Sequence, residues 1–399
     1  MPSVKEMAMI HWRNFVVVLL SIVLSACSQL GVNELDSQDI NVNGSWKVVT
    51  SPNASVYNFL QGVDVLTPSD VWAVGYTYSS NGGSTPLIER WDGTSWSIVP
   101  SPQVAGGKLN AVVALASNDV WAVGSSPPNP SSSEQILIEH WDGNDWTVVP
   151  GPNLSGVSSK LKGITAVAAN DIWAVGESYR SATSGVQTLV LRWNGSTWNQ
   201  VATPAVGSFS SLAAISHVAA NDIWAVGIHY SSGYKTLTLR WNGSTWSAVS
   251  SPNLGGSRLS GLIALSANNV WAVGTKDSFN KTLTMRWNGR KWNLVSSPNF
   301  TDNVYFWSNN LSSVSAAASN DIWAVGSTSP ATFCPREYCP TYYRTLILHY
   351  NGSSWRIVPS PSPTGNSDRL FGVSAVSGDE AWAVGFSGAN TLTEHYTIP

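Results

Sequence analysis

The chain has 399 residues, a formal net charge of −3, 11 % charged side chains and 21 tryptophans. A mildly acidic chain without a basic tract excludes a nucleic-acid-binding protein of the usual kind. Beyond the N-terminus no apolar residues recur at i, i+3, i+4 and i+7, which excludes a helical bundle. Abundant Gly, Ser, Thr, Asn and Pro suit many short strands joined by turns.

The first predicted element is a targeting segment. Lys5 and Arg13 precede an apolar run from Phe15 to Ala26. That run is too short to span a bilayer as a helix and suits the apolar region of a secretory signal. It ends Leu24-Ser25-Ala26-Cys27, which resembles the lipobox of bacterial lipoproteins. The resemblance implies cleavage before Cys27, lipidation of that residue, and a place in the bacterial cell envelope, anchored outside the cytoplasm. The expected domains are therefore a signal peptide (1–26), a lipidated Cys27 with a polar, patternless tether (27–43), and a folded body (44–399). Cleavage would remove Lys5, Glu6 and Arg13 and shift the charge by one unit toward negative.

The body is written in repeats. Asn-Asp-Ile-Trp-Ala-Val-Gly occupies residues 170–176 and 221–227, and close variants end at Gly75, Gly124, Gly274, Gly326 and Gly385. The tryptophans of this phrase are spaced by 49, 52, 51, 47, 52 and 59 residues. A period near 50 marks a repeat array. Each unit predicts four strands. The first is rich in small residues, as in LKGITAVA. The second carries the repeated phrase. The third alternates, as in TLTLRW, and Asn-Gly or Asp-Gly then predicts a type I′ hairpin turn. A fourth, short strand starts at Trp and ends at Ser-Pro-Asn, where proline suits an edge. The two faces of such a sheet need cover, and radial packing of several sheets provides it. The seventh repeat stops after His395-Tyr396 without its fourth strand, while Trp46-Lys47-Val48-Val49 is a fourth strand without a repeat. The fold expected is all-β: a seven-bladed propeller of four-stranded antiparallel blades, closed by an N-terminal strand that completes the last blade.

An apolar strand ending in Gly, a variable loop, an aromatic, a polar turn and a later Trp resemble the Kelch repeat of galactose-oxidase-type propellers, over about residues 44–399. Kelch units usually carry a Gly-Gly doublet where this chain has Val-Gly.

Nineteen of the 21 tryptophans hold repeated positions and are expected to be core; Trp12 lies in the signal, and only Trp307 is left over. The residue before the third-strand aromatic is Arg or His in all seven units, and the turn before the second strand supplies Asp, Asn or Glu. Antiparallel neighbours bring these together, so pairs such as Asp70–Arg90, Asp171–Arg192 and Asp222–Arg240 are expected to fix the turns. Asn269 makes the fifth pair non-ionic. Variable loops should lie on the opposite face from the short turns. Two are aromatic: one carries Tyr305, Phe306 and Trp307, the other Tyr338, Tyr342, Tyr343 and the pair Cys334/Cys339. They could contact a sugar or protein ligand, or form a local mini-core. An oxidising compartment would favour a Cys334–Cys339 disulfide.

Residues suited to catalysis are few. His229 is a weak loop candidate, and His217 reads as a packed core residue. No metal-site spacing occurs, no cofactor is implied, and the copper ligands of galactose-oxidase-type enzymes are unmatched. WDGTSW (91–96) only echoes a sialidase Asp box, because it lacks a residue. The expected function is a membrane-tethered, monomeric binder of a glycan, peptide or protein, with no nucleic acid and no catalysis. The alternative is a polysaccharide hydrolase or lyase, with loop acids and His229 at the axial mouth.

Overall fold

The computed structural model describes residues 44–127, 133–154, 157–179, 185–278, 280–301, 307–330 and 342–398. Their strands form seven four-stranded antiparallel sheets. Blade 1 runs from the innermost strand Tyr57–Thr67 through Asp70–Tyr78 and Ser84–Trp91 to the outer Trp96–Ile98. Blades 2 to 6 repeat this order. Blade 7 takes three strands from the C-terminus, Asp368–Ser377, Glu380–Ser387 and Asn390–Thr397, and its outer strand, Ser45–Val49, from the N-terminus. Trp46 lies opposite Tyr396 and Lys47 opposite His395, so the two ends of the body close the ring.

The repeated tryptophan explains why the sheets pack around a ring. Each second-strand Trp inserts between two aromatics of the following blade. Trp72 meets Trp141 and Trp146 at ring-centroid distances of 5.4 and 5.6 Å, and Trp173 meets Trp241 and Trp246 at 5.1 and 5.8 Å. At the closure Trp323 meets Tyr396 at 4.6 Å and Trp46 at 5.3 Å, so the N-terminal strand joins the same motif. These tryptophans are essentially inaccessible, Trp121 being the most exposed at 3 %.

The glycine that closes the phrase has a backbone cause. In every blade the innermost strand carries a bulge, for example between Leu60 and Gly62, opposite that glycine. A bulge inserts one unpaired residue and sharpens the twist. A Cβ at Gly75 would overlap the Phe59 carbonyl oxygen, and Gly124, Gly176, Gly227, Gly274, Gly326 and Gly385 face the equivalent carbonyl.

The charged ring is present on the short-turn face. Arg90 donates from Nε and Nη2 to the two Asp70 oxygens at 2.8 and 3.0 Å, and Arg240 holds Asp222 in the same way at 2.8 and 2.9 Å. Arg192 Nε reaches Asp171 at 2.8 Å, and Arg286 Nε reaches the neutral Asn269 Oδ1 at the same distance. Each of these arginines also covers the tryptophan of its own blade, 4.8–5.6 Å from the ring centroid. In three blades a histidine substitutes, stacking on Trp121, Trp323 and Trp382.

One expectation needs correction. The Asn-Gly and Asp-Gly turns form hairpins, but they are not type I′. Only the glycine has positive φ, 96° at Gly93, and the preceding Asp or Asn does not. The connection is instead a four-residue loop capped by that side chain. Asp92 Oδ1 accepts from the Thr94 and Ser95 amides, each at 2.8 Å. Here the Asn or Asp supplies an acceptor rather than a left-handed backbone.

A departure from the repeat lies in the third strands. The position held by Leu191, Leu239, Met285 and Leu348 in blades 3 to 6 is Glu394, Glu89 and Glu139 in blades 7, 1 and 2. All three glutamates are 0 % exposed, and neither carboxyl oxygen of Glu139 or Glu394 has a hydrogen-bond partner, while Ser51 lies near the Glu89 carboxyl. Burial pushes the Glu89 and Glu139 carboxyls up to about 8 and raises Glu394 well above the carboxylate range, with Asp368 adding to the rise.

Candidate functional site

The short turns share one face, where Gly93 abuts Ser69 and Gly143 abuts Asn118. The opposite face carries the variable loops and the other end of the axial channel. Residues from the innermost strands of all seven blades line that channel, a space of about 180 Å³. Each bulge places its extra residue there: Gln61, Asn110, Lys162, Ala213, Ser260, Ser312 and Phe371.

Toward the loop face from the bulges, each blade has one cross-strand pair at an equivalent register position. Blade 1 supplies Phe59 opposite Tyr76, and blade 7 supplies Arg369 opposite Phe386. Blades 2, 3 and 5 place Lys108, Lys160 and Arg258 at the same register position.

One side of the mouth is aromatic. Phe59 stacks on Tyr76 at 5.2 Å, and Phe386 sits edge-on to Phe59 at 4.9 Å. Phe371 stacks on Phe386 at 5.8 Å, and Tyr78 meets Tyr76 at 5.5 Å. Two cations flank this crescent. The Lys108 ammonium lies 5.2 Å from both the Tyr76 and Tyr78 rings, and the Arg369 guanidinium sits 3.3 Å from the Tyr343 centroid and 5.9 Å from that of Phe386. Such contacts hold the cations against the rings. Burial pushes the Tyr76 phenol up, partly offset by the charge of Lys108.

The other side is ionic. Lys160 and Lys162 grip the two oxygens of Glu177 at 2.9 and 2.7 Å, and Lys162 also donates to Ser211 of the next blade at 2.9 Å. Burial opposes the charge on Glu177, yet the two lysines and Ser211 hold its carboxyl at about 2. Arg258 donates to Asn310 Oδ1 of the following blade at 3.1 Å.

The residues singled out from sequence lie elsewhere. Trp307 packs edge-on against Phe300 at 4.8 Å, with the Arg344 guanidinium 5.7 Å from its ring. It is half-buried at the start of its strand, opposite Pro330. Tyr343 lies under Arg369, and Tyr342 is exposed at 40 %. His229 is half-buried opposite Ser210 and Lys235, and burial lowers its pKa, with Lys235 adding to the effect. His217 Nδ1 meets Thr165 Oγ1 of the preceding blade at 2.8 Å. Cys27, Tyr305, Phe306, Cys334, Tyr338 and Cys339 lie outside the described residues. Among the described residues no group of three or more His, Cys, Asp or Glu is placed to hold a metal ion.

The crescent was missed because its members are not contiguous. Phe59 and Phe386 are 327 residues apart in sequence. The signal was available: both occupy fixed positions beside a repeated Leu or Gly, where most other blades carry polar side chains.

Three acids of the loop face are engaged by their neighbours. Glu177 is held ionised by its lysines. Asp277 pairs with Lys281 at 3.2 Å, and Asp368 is buried, accepting from Gly365 and Ser387.

No family model matches the chain, and no curated protein does. Two solved structures are similar in fold. One is YCF48 bound to a D1 peptide, with a TM-score of 0.55 and 14 % identity over 89 % of this chain and 96 % of that one. The other is YCF48 from Cyanidioschyzon merolae, with a TM-score of 0.54 and 14 % identity over 88 % of this chain and 98 % of that one. At that identity the likeness is one of architecture.

Proposed function

We propose that this chain is a non-catalytic binding propeller, and that its loop-face mouth holds a peptide or a protein segment. The observation that carries this reading is the continuous crescent of Phe59, Tyr76, Tyr78, Phe371 and Phe386, flanked by Lys108 and Arg369. Aromatic surface beside cations gives affinity and orientation together. One structural neighbour, YCF48, is bound to a peptide, which supports a protein ligand over a glycan. The sequence supports a Kelch-type repeat, a signal over residues 1–26, a lipid on Cys27 and a tether to the outer side of a bacterial membrane. A lipid there would hold the body at a surface without spanning it.

The test is a peptide and glycan array probed with the wild type, Tyr76→Ala and Phe386→Ala. Loss of peptide signals in both variants supports the reading. Peptide signals that survive in both, or signals on glycans alone, refute it. Replacement of Cys27 by Ser, followed by fractionation, tests the anchor: a protein that stays in the membrane fraction would refute lipidation at that residue.

A further inference from the structure

We infer that Asn81 is a site of spontaneous covalent modification: its side-chain amide is lost to attack by the Gly82 nitrogen, while the turns of the other Asn-Gly pairs hold them back from the same reaction. This reaction does not depend on what the mouth binds.

The chemistry needs only water. The Gly82 nitrogen bonds to the Asn81 Cγ and gives up its proton to solvent base. The Cγ–Nδ2 bond breaks, and the nitrogen leaves as ammonia with a proton from solvent. The succinimide that results is then hydrolysed. Breaking the new Cγ–N bond gives aspartate; breaking the original peptide bond gives isoaspartate, with the chain running through the side chain. Glycine suits the attacking position because it has no Cβ to obstruct the approach.

Among the described residues Asn-Gly occurs at Asn81, Asn194, Asn242, Asn288 and Asn351, and all of these asparagines are exposed. Exposure does not separate them, but hydrogen bonding does. Asn194 Oδ1 accepts from the Ser196 and Thr197 amides at 3.0 and 2.9 Å. Asn242, Asn288 and Asn351 each accept from the equivalent two amides at 2.9–3.1 Å. Each of these turns is also closed by the asparagine amide, which donates to the carbonyl three residues on at 3.3 Å. For the glycine nitrogen to reach Cγ, the side chain must leave both amides that it caps. Blades 1 and 2 carry Asp92 and Asp142 at this place. The Thr94 hydroxyl and the Ser95 and Thr94 amides hold the Asp92 carboxyl at about 2, so it is ionised and a poor target for such attack.

Asn81 is different. It lies in the loop between Asp70–Tyr78 and Ser84–Trp91, and its side chain has no hydrogen-bond partner among the described residues. A Cβ placed on Gly82 would meet nothing within 4 Å, so the loop tip stands clear of its neighbours. One bond restrains the nucleophile, from the Gly82 amide to the Ser79 carbonyl at 3.0 Å. A single bond in an exposed loop opens readily. The product carries one more negative charge, in the loop that leaves Tyr78 of the crescent.

The experiment incubates the full chain in mildly alkaline buffer, native and in urea. Each Asn-Gly peptide is followed by mass spectrometry, with aspartate and isoaspartate forms separated by chromatography. In the native protein Asn81 should react at least about fivefold faster than any of the turn asparagines, which is the effect of the extra bonds that must open there. Its product should contain isoaspartate, which the succinimide route yields and direct hydrolysis does not. In urea the turns are lost, and all the pairs should react alike. Asn81→Gln should remove the earliest acidic form from an ion-exchange profile and leave tryptophan fluorescence unchanged. A turn asparagine that reacts in the native protein as fast as Asn81, aspartate at Asn81 without isoaspartate, or an order of reaction that persists in urea would each overturn the inference.

Discussion

Replacing Glu139 by Leu should stabilise the protein, and the gain should grow with pH. Leu is what blades 3, 4 and 6 carry at this position, so the volume is already suited to the interface. In the folded state the carboxyl is inaccessible, and burial lifts it to about 8 from an ordinary 4.5. In the unfolded chain it ionises near its ordinary value. The folded state therefore binds more protons than the unfolded state between those limits. Stability is full below about 4.5 and falls as pH rises toward 8. At 1.36 kcal/mol per unit the loss is on the order of 5 kcal/mol for this one group. Relaxation and water entry reduce such figures, so the expected loss for the wild type between pH 5 and 8.5 is at least about 2 kcal/mol. The assay is urea denaturation followed by tryptophan fluorescence at both pH values, for the wild type, Glu139→Leu and the combined Glu89→Leu/Glu139→Leu. The wild-type midpoint should drop with pH, and each substitution should flatten the slope. A wild-type midpoint that rises from pH 5 to 8.5, or an unchanged slope in the double variant, would refute the assignment of neutral, buried carboxyls.

Trp46→Ala should cost roughly 3–5 kcal/mol, because it removes an edge partner of Trp323 from the closing blade, as thermal melts would measure. Gly124→Ala should cost about 3 kcal/mol or more, since the new methyl would overlap the Lys108 carbonyl at the bulge; near-wild-type denaturation would contradict that cause. Asn269→Asp gives Arg286 an ionic partner like those of Arg90 and Arg240, and the change should stay within about 1 kcal/mol and shrink with salt. Trp307→Ala should leave peptide affinity within about twofold, because Trp307 is occupied by Phe300 and Arg344; a large loss would return the binding site to that loop.

What could be read from the sequence was whatever the repeat wrote seven times. Period, blade number and closure by Trp46 follow from phrases that recur, because each blade must solve the same packing problem. The Asp–Arg ring was legible for the same reason. The turn type was misread because Asn-Gly has two physical uses: as a pair of left-handed residues, or as a side-chain acceptor followed by one left-handed glycine. Only the backbone distinguishes them, as Asp92 and Gly93 do here. The mouth was illegible for a different cause. Its members differ from blade to blade, and a reading that seeks repetition discards them. Trp307, the one tryptophan of the body without a repeated place, is half-buried against Phe300.

Departures from the repeat concentrate where the ring closes, and that placement has a physical consequence. In blades 4 and 5 a third-strand threonine ties the outgoing loop: Thr236 Oγ1 meets Ser251, and Thr282 takes Ser297 and Asn299. Blade 7 does the same with Thr391, Ser51 and Asn53. In blades 1 and 2 the corresponding residues are Pro86 and Ile136, and neither has a hydroxyl. Beside Pro86 a cleft of about 340 Å³ opens. Beside Ile136 the space is taken by its side chain, and Gly151 has no Cβ to obstruct it. The buried glutamates fall in the same arc of blades 7, 1 and 2, and so do Phe59, Tyr76, Phe371 and Phe386 of the crescent. An arc that holds neutral acids in all three blades, and lacks the threonine tie in blades 1 and 2, is the one most readily loosened by base. Anything bound across Phe59 and Phe386 spans the seam between blades 1 and 7, so its binding free energy adds to the closure that Trp46 begins. A mouth ligand should therefore raise the unfolding midpoint. It should also slow proteolysis at the N-terminal strand, and protection confined to blades 3 to 5 would show that the ligand sits elsewhere.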